Sequence, residues 1–400
     1  MRTKSNNPFD PNVNRPKYLG GRGKEIKAIS QRIDEGAAGS GKRAFGFYGY
    51  PGVGKTAILE TLASRVPANW ATNKTAPLCP EHDDFRPALW EAIGEILRTN
   101  KDLARDEWGK KLVRVIKSAN LTVTLDLLGV LGVSADLGQE APPTSHYEEI
   151  ETALVTLAES AQQHNKAVLL CLDEVQNVSP EGKTALIYAM EKIQNRGLPL
   201  LLAVAGLPPM LDGLIGAKKG ITRTWGLSEI GLLSVDGCRE ILVRSADIYH
   251  EEFEDDALDL LASAADHAPF MVQTYGHICW TANPHHPRMT LDDARAAIKE
   301  GNAEVDRAGG TFDLLLRGLR TGRLDYLTSM ASARGDGIGV RGRDIDAEYQ
   351  RRRGSRPDGR IRQDLLDRGL VFQPDGQRGY LAFAIPGLRS HIARRADSDG

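Results

Sequence analysis

The chain has 400 residues, a formal net charge of −2, and 41% hydrophobic and 26% charged residues. At about 100 to 200 residues per domain, this length predicts two or three domains and excludes a wholly disordered chain or a small disulfide- or metal-stapled one. The four cysteines are widely spaced, which excludes paired zinc or secreted disulfide patterns and favours the cytoplasm. Because the N-terminus has no signal-like apolar core and no apolar run reaches about 18 residues, we expect neither export nor a membrane span.

The first half of the chain alternates short apolar runs with amphipathic segments. A helix is predicted around Ile26 to Ile33 and a strand at Ala44 to Tyr48, followed by a glycine-rich loop and a second helix. Further strands are predicted at Ala167 to Leu172 and Leu198 to Ala205, with helical patterns between and before them. This alternation predicts an α/β fold with a buried parallel sheet flanked by helices.

The remaining segments predict three domains. Residues 1–207 would form the α/β core, with an insertion at about residues 100–146 whose tail, at 121–138, alternates like a β-hairpin. The pattern is helical from Pro208 to about residue 307, including the segment GLSEIGLLSVDGCREIL, so residues 208–310 are predicted to be a helical lid. Three helical segments and two strand-like runs around the turn at Pro374 give residues 311–400 the plan of a winged helix.

A phosphate-binding motif stands between the first predicted strand and the helix after it. Gly49, Gly54, Lys55 and Thr56 fit the pattern G-x-x-x-x-G-K-[ST]. Glycines suit this loop because backbone N–H groups must approach phosphate oxygens, while the following helix directs its N-terminus at the anion. Lys55 would reach the β- and γ-phosphates of ATP, and the Thr56 hydroxyl would bind Mg²⁺. The candidate nucleotide-binding residues are Gly49, Tyr50, Pro51, Gly52, Val53, Gly54, Lys55, Thr56 and Ala57.

Two adjacent carboxylates follow the second predicted strand. Asp173 and Glu174 end the run AVLLCLDEVQ, which would place them at a strand tip beside the phosphate loop. Asp173 would hold Mg²⁺ through water, and Glu174 would polarise the attacking water as general base. The candidate catalytic residues of an ATPase would then be Lys55 and Glu174.

These motifs resemble those of AAA+ or closely related STAND-type P-loop ATPases of the origin-recognition-like branch. The matching segments cover most of the chain: KYLGGRGKEI (17–26), GYPGVGKT (49–56), LLCLDEVQ (169–176), LLLAVAGLP (200–208), ITRTWGLSEIGLLS (221–234), HAPFMVQTYG (267–276) and the winged-helix-like tail. The resemblance implies ATP and Mg²⁺ as cofactors. It also implies assembly of several copies with ATP.

The resemblance implies further site residues. Tyr18, Leu19 and Arg22 would belong to a strap around the adenine, and Pro269 would press on the nucleotide from the lid. Arg223, a third candidate catalytic residue, would contact the γ-phosphate of a neighbouring copy. The chain departs from the family pattern at His267, where relatives often carry glycine. The third strand ends in Ala205-Gly206 where relatives usually place a polar residue, which implies slow hydrolysis.

The C-terminal segment is rich in arginine. Residues 311–400 contain 17 Arg, no Lys and 12 acidic residues, so they carry +5 against −7 for the rest of the chain. If the last predicted helix before the hairpin entered a major groove, nearby arginines would meet duplex DNA. The candidate DNA-contacting residues are Arg351, Arg352, Arg353, Arg356, Arg360 and Arg362.

Three kinds of output remain open from the sequence. The protein would be an ATP-dependent conformational switch that loads, remodels or marks DNA. Alternatively, it would be a STAND-like signalling or anti-phage defence ATPase whose winged helix binds protein and which acts through an effector protein. In the third hypothesis, nucleotide has only a structural role and is hardly hydrolysed.

Overall fold

A computed structural model describes most of the chain, in two compact units. The α/β unit consists of Arg22–Gly49 and Gly54–Ile230, and the second unit consists of Met1–Gly21, Tyr50–Val53 and Gly231–Gly400. The described residues are 2–11, 16–37, 42–50, 52–74, 79, 84–105, 107, 110–112, 115, 145–307, 310–334, 339–374, 378–385 and 387–398.

The α/β unit contains a five-stranded sheet in the order β2-β3-β4-β1-β5, and every neighbouring pair is parallel. Its strands are β1 (Ala44–Tyr48), β2 (Trp70–Thr72), β3 (Ala167–Leu172), β4 (Leu200–Gly206) and β5 (Trp225–Glu229). Strands β3 and β4 are buried along their whole length, which explains their continuous apolar sequence. Because the strands are parallel, the loops after β1, β3 and β4 lie at the same edge of the sheet.

Eight helices of the α/β unit are described. They are α1 (Gly23–Ala37), α2 (Lys55–Arg65), α3 (Arg86–Thr99), α4 (Asp102–Arg105), α5 (His146–Gln163), α6 (Pro180–Asn195), α7 (Pro209–Ala217) and α8 (Ile221–Thr224). Side-chain caps define where two of these helices begin. The Ser145 hydroxyl accepts a hydrogen bond from the Glu148 N–H at the start of α5, and the Ser179 hydroxyl accepts one from the Gly182 N–H at the start of α6.

The predicted parallel α/β fold is confirmed, with two local differences. The segment at Trp225–Glu229, which we interpreted as helical, is the edge strand β5, because Trp225 is buried and the segment pairs with β1. Strand β2 was not predicted. The predicted hairpin at 121–138 lies outside the described residues, and the three-domain division at 207 and 310 stays a prediction.

The first part of the second unit is helical. Its helices are α9 (Val235–Asp247), α10 (Asp255–Ala264), α11 (Pro269–Ala282) and α12 (Leu291–Asp306), with a short parallel pair formed by β6 (Glu252–Phe253) and β7 (Arg288–Met289). The N-terminal segment completes this core, since the buried ring of Phe9 packs edge-on against Phe253 and Trp280.

The last part of the second unit combines helices with a small antiparallel sheet. Its elements are α13 (Thr311–Leu316), α14 (Thr321–Ser332), β8 (Val340–Arg341), α15 (Gly342–Arg353), α16 (Gly359–Asp367), β9 (Val371–Phe372), β10 (Tyr380–Phe383) and α17 (Leu388–Ser398). The strand order is β8-β10-β9. The segments predicted near residues 342–349 and 359–368 are helical, and the segment predicted at 316–333 is helical from Thr321 to Ser332, whereas α13, β8 and α17 were not predicted. Residues 375–377 of the predicted turn lie outside the described residues.

Candidate functional site

The phosphate-loop motif follows β1, the strand flanked by β4 and β5 in the sheet. The Gly49 N–H donates to the carbonyl oxygen of Gly206 at the end of β4, over 3.2 Å. Gly54 has φ +93° and precedes α2, and no atom would meet a Cβ there within 4 Å. Glycine is therefore needed at 54 for its left-handed backbone rather than for space. Gly52 is also left-handed, with φ +77°, and Pro51 lies outside the described residues.

Lys55 begins α2 and is 6% exposed. Burial lowers the pKa of Lys55 below its ordinary value, and the negative charges of Asp173 and Glu174 partly offset that effect. Thr56 and Ala57 follow in the first turn of the helix and are half-buried. Lys55 is thus a cation at a helix N-terminus that faces two carboxylates. This arrangement suits an anionic ligand that binds together with a metal cation.

Asp173 and Thr56 are brought together by β3 and α2. Asp173 is fully buried, and its Oδ2 accepts a hydrogen bond from the Thr56 hydroxyl at 2.5 Å, while its Oδ1 accepts from the Glu174 N–H at 2.8 Å. The Thr56 oxygen keeps its lone pairs after this donation. A hydroxyl beside a carboxylate is the hard oxygen pair that suits Mg²⁺, so these two residues fit the predicted metal site.

Glu174 leaves the sheet in an unusual backbone conformation. It has φ +55°, in the left-handed region, and precedes a 3-10 turn at Val175–Asn177. Its carboxylate oxygen Oε2 accepts a hydrogen bond from the Gln176 side-chain amide. The left-handed conformation turns the chain sharply after β3, which places the base candidate at the same sheet edge as Lys55.

Three polar residues around this edge were not singled out from the sequence. Gln176 joins Glu174 to the Leu207 N–H, and Lys183 donates to the carbonyl oxygens of Gln176 and Val178. Asn73, after β2, exchanges two 2.8 Å hydrogen bonds with the backbone of Cys171. The motif DEVQ contains the glutamine, but sequence alone does not show that its side chain reaches β4.

Arg223 lies in α8, ahead of β5. Its side chain is exposed and has no ion-pair or hydrogen-bond partner within the part of the chain that the structure describes. The left-handed Gly220 precedes this helix. An exposed, unpaired arginine matches the predicted contact with a second copy, which stays a prediction.

The strap residues are held by a glutamate of α9. The Tyr18 hydroxyl donates to Oε1 of Glu240 at 2.5 Å, and the Gly21 N–H donates to Oε2 of the same side chain at 3.1 Å. Leu19 is half-buried. Arg22, in the α/β unit, is buried and lies 3.9 Å from a carboxylate oxygen of Glu25.

Pro269 is the first residue of α11, where its ring fits a helix N-terminus. Two residues earlier, His267 has φ +63°, a left-handed conformation that favours glycine. Its Nδ1 lies 2.7 Å from the carbonyl oxygen of Leu233, which holds the strained residue in place. The backbone of His267 is therefore strained because the residue is not glycine, and the contact of its side chain with Leu233 offsets that strain.

The six candidate DNA-contacting arginines differ in exposure and in whether they are paired. Arg351 and Arg352 both pair with Glu348, and Arg353 pairs with Asp325. In contrast, the exposed side chains of Arg356 and Arg360 have no partner over the described residues. Arg362, in the middle of α16, is half-buried.

Tyr50 belongs to the second unit, as does Val53, which is buried. The Tyr50 ring stacks on Phe372 of β9, with ring centroids 4.0 Å apart and planes inclined by 29°. It also packs against the apolar core formed by the last helices and strands of that unit. A residue of the phosphate-loop motif is thus part of the packing of the C-terminal sheet.

Comparison with known proteins agrees with this geometry. Residues 18–203 match the family model described as an AAA ATPase domain. The fold is similar to that of the Walker-type ATPase PABY2304 of Pyrococcus abyssi, at 15% identity over 95% of this chain and 97% of that one, with a TM-score of 0.58. It is also similar to the ADP form of the ORC2 protein of Aeropyrum pernix, at 16% identity over 98% and 97% of the chains, with a TM-score of 0.51. No curated protein matches the chain.

The strand order, the phosphate loop and the paired Asp173 and Thr56 define a P-loop nucleotide-binding ATPase fold. The match over residues 18–203 agrees with the predicted resemblance to AAA+ ATPases, and the fold is similar to that of an ORC2 protein. Within the described residues, no helix is both long and apolar enough to cross a membrane.

Proposed function

We propose that the protein binds MgATP and hydrolyses it to ADP and phosphate, using the cycle as a conformational switch. The observation that carries this proposal is the meeting of the start of α2 and the end of β3 at one edge of the sheet. The Thr56 hydroxyl is bonded to Asp173, the buried Lys55 precedes it, and Glu174 follows Asp173. This is the set of groups that phosphoryl transfer to water requires.

In the proposed reaction, a water oxygen attacks the γ-phosphorus and the bond to the β–γ bridging oxygen breaks. Glu174 accepts the proton of that water, and ADP leaves with the bridging oxygen. Lys55 stabilises the charge that spreads over the β- and γ-phosphate oxygens. The N–H groups at the start of α2 orient the phosphates. Mg²⁺, when bound, neutralises phosphate charge, with Thr56 and Asp173 holding it.

The switch is proposed to act through the second unit. Tyr50 is part of the phosphate-loop motif, and its stacking on Phe372 offers a route by which nucleotide and the C-terminal sheet influence each other. We interpret residues 208–310 as a lid and residues 311–400 as a winged helix. The order of helices α14, α15 and α16 and of the three antiparallel strands supports the second interpretation. Arg223 would act between copies in an ATP-dependent homo-oligomer.

Nucleotide binding at this loop is tested by isothermal titration of ATP into wild type and Lys55→Ala. We expect micromolar-range binding by wild type and a loss of at least about 10-fold in Lys55→Ala, because a buried charge opposite the phosphates is removed. Equal affinity of the two proteins would refute the assignment of the phosphate loop.

DNA association is a second candidate function, supported by the unpaired, exposed Arg356 and Arg360. Phosphate contacts by these arginines would produce duplex binding that weakens with salt. The alternative, a signalling or defence ATPase that acts on an effector protein, needs no such contacts.

The two outputs are separated by ATP turnover with and without duplex DNA at two salt concentrations. The DNA-associated function predicts stimulation that fades with salt and is lost in Arg356→Ala/Arg360→Ala. Arg351→Ala/Arg352→Ala removes the two candidate arginines that are paired with Glu348 and is expected to reduce the stimulation less. Turnover that ignores DNA in all three proteins would favour the effector-linked function.

A further inference from the structure

Gln176 connects the base candidate to the neighbouring strand. Its Nε2 donates to Oε2 of Glu174, and its Oε1 accepts from the Leu207 N–H at 2.9 Å. Both ends of one amide are thereby occupied, one by the end of β3 and the other by the residue after β4. A side chain fixed at both ends loses little further freedom when a ligand arrives.

Gly206 provides the space that this bridge needs. A Cβ at position 206 would lie 2.6 Å from Oε1 of Gln176, and φ of Gly206 is not in the left-handed region. Glycine is therefore required here for close approach rather than for backbone conformation. The strand ends without a polar side chain of its own, and the amide of Gln176 occupies that place.

Lys183 holds the backbone of the same turn. Its side chain is buried, and its Nζ donates to the carbonyl oxygen of Gln176 at 3.0 Å and to that of Val178. These contacts fix the turn without touching the Glu174 carboxylate. Lys183 thus stabilises the turn alone, whereas Gln176 also contacts Glu174, the candidate base.

We propose that Gln176 is a positioning residue for Glu174. Gln176 holds the Glu174 carboxylate near the end of β4, so that this carboxylate meets the attacking water. The amide donor fixes one carboxylate oxygen and restricts rotation of the side chain, whose backbone already has the strained φ of +55°. Correct orientation lowers the barrier of the water attack and leaves ATP binding unchanged. This inference rests on the proposed ATPase function.

The test compares Gln176→Glu, Gln176→Ala and Lys183→Met with wild type, measuring kcat, KM and the Kd for ATP. Gln176→Glu keeps an oxygen that accepts from Leu207 and loses the donor to Glu174, and it adds a negative charge beside that carboxylate; Gln176→Ala removes the donor without adding charge. We expect kcat to fall about 10- to 100-fold in both Gln176 variants, with Kd for ATP within about threefold of wild type in Gln176→Ala. Lys183→Met should retain kcat within about threefold while lowering the unfolding temperature.

Different outcomes distinguish failure of the proposed ATPase function from failure of the positioning role of Gln176. If wild type itself shows no turnover, the proposed function is wrong. If wild type turns over and Gln176→Glu retains its kcat, Gln176 only braces the backbone and the positioning role is wrong. Faster turnover in the Gln176 variants would also overturn the proposal, because the amide would then restrain the base. An equal loss in Lys183→Met would assign the effect to loosening of the turn.

Discussion

The hydroxyl of Thr56 donates a hydrogen bond to the buried carboxylate of Asp173, although the two residues are 117 positions apart in the chain. The contact joins the first turn of α2 to the end of β3, and it gathers the two oxygen groups that suit Mg²⁺. Because this hydrogen bond is partly buried, removing either group is expected to lower both stability and metal binding.

Replacing Thr56 by Val should therefore remove one Mg²⁺ contact and leave the Asp173 carboxylate short of a donor. We expect loss of Mg²⁺-dependent ATP binding, measured by titration with and without EDTA, and a loss of about 1 to 3 kcal/mol of unfolding free energy. The matched control is Thr61→Val in the same helix, since the buried Thr61 hydroxyl has no partner among the described residues. An equal response of the two variants would contradict the metal assignment.

Replacing Gly54 by Ala tests the left-handed loop. With φ at +93°, an added Cβ costs about 1 to 2 kcal/mol although the space is open. We expect weaker ATP binding and a lower unfolding temperature. Gly216→Ala, at an exposed position of α7 that also has open space, should instead be neutral or stabilise by up to about 1 kcal/mol. Unchanged ATP affinity in Gly54→Ala would argue against backbone contacts to phosphate.

A role of Arg223 between copies predicts complementation. Glu174→Gln retains the arginine but lacks the base, whereas Arg223→Ala retains the base but lacks the arginine. Each variant alone should be nearly inactive, and an equal mixture should recover a measurable fraction of wild-type turnover. Arg244→Ala, another exposed arginine, serves as the control and should be active alone. No recovery in the mixture, with both variants monomeric in ATP by light scattering, would rule out the contact in trans.

Removing Glu240 tests the strap. Glu240→Ala deletes both the contact to the Tyr18 hydroxyl and that to the Gly21 N–H, whereas Tyr18→Phe deletes only the first. If the strap contacts the base of the nucleotide, ATP affinity should fall several-fold in Glu240→Ala and less in Tyr18→Phe, with kcat retained. Equal affinities for ATP and for triphosphate without a base, in wild type, would show that the strap takes no part.

The phosphate loop and the acidic pair could be predicted because their chemistry is local. Gly54, Lys55 and Thr56 are consecutive, and the buried run before Asp173 is a strand by its composition alone. The burial of that strand on both faces leaves an uninterrupted apolar signal. The order of helices and strands across the C-terminal segment was also largely predictable from periodicity.

The rest depends on contacts that sequence periodicity does not encode. Trp225–Glu229 has an ambiguous pattern and becomes a strand because β1 offers a pairing edge. The three-residue β2 is too short to give a signal. The role of Gln176 depends on the adjacency of β3 and β4, which brings Leu207 within reach of its amide. The predicted consequence of Ala205-Gly206, slow hydrolysis, stays a prediction.

Catalysis of ATP hydrolysis by Glu174 is tested most directly by steady-state phosphate release by purified wild type and Glu174→Gln at saturating MgATP, with ATP binding measured on the same samples. We expect turnover by wild type, a loss of at least about 100-fold in Glu174→Gln, and unchanged or tighter ATP binding by that variant. Equal turnover by the two proteins, or none by a wild type that binds ATP tightly, would contradict this role of Glu174.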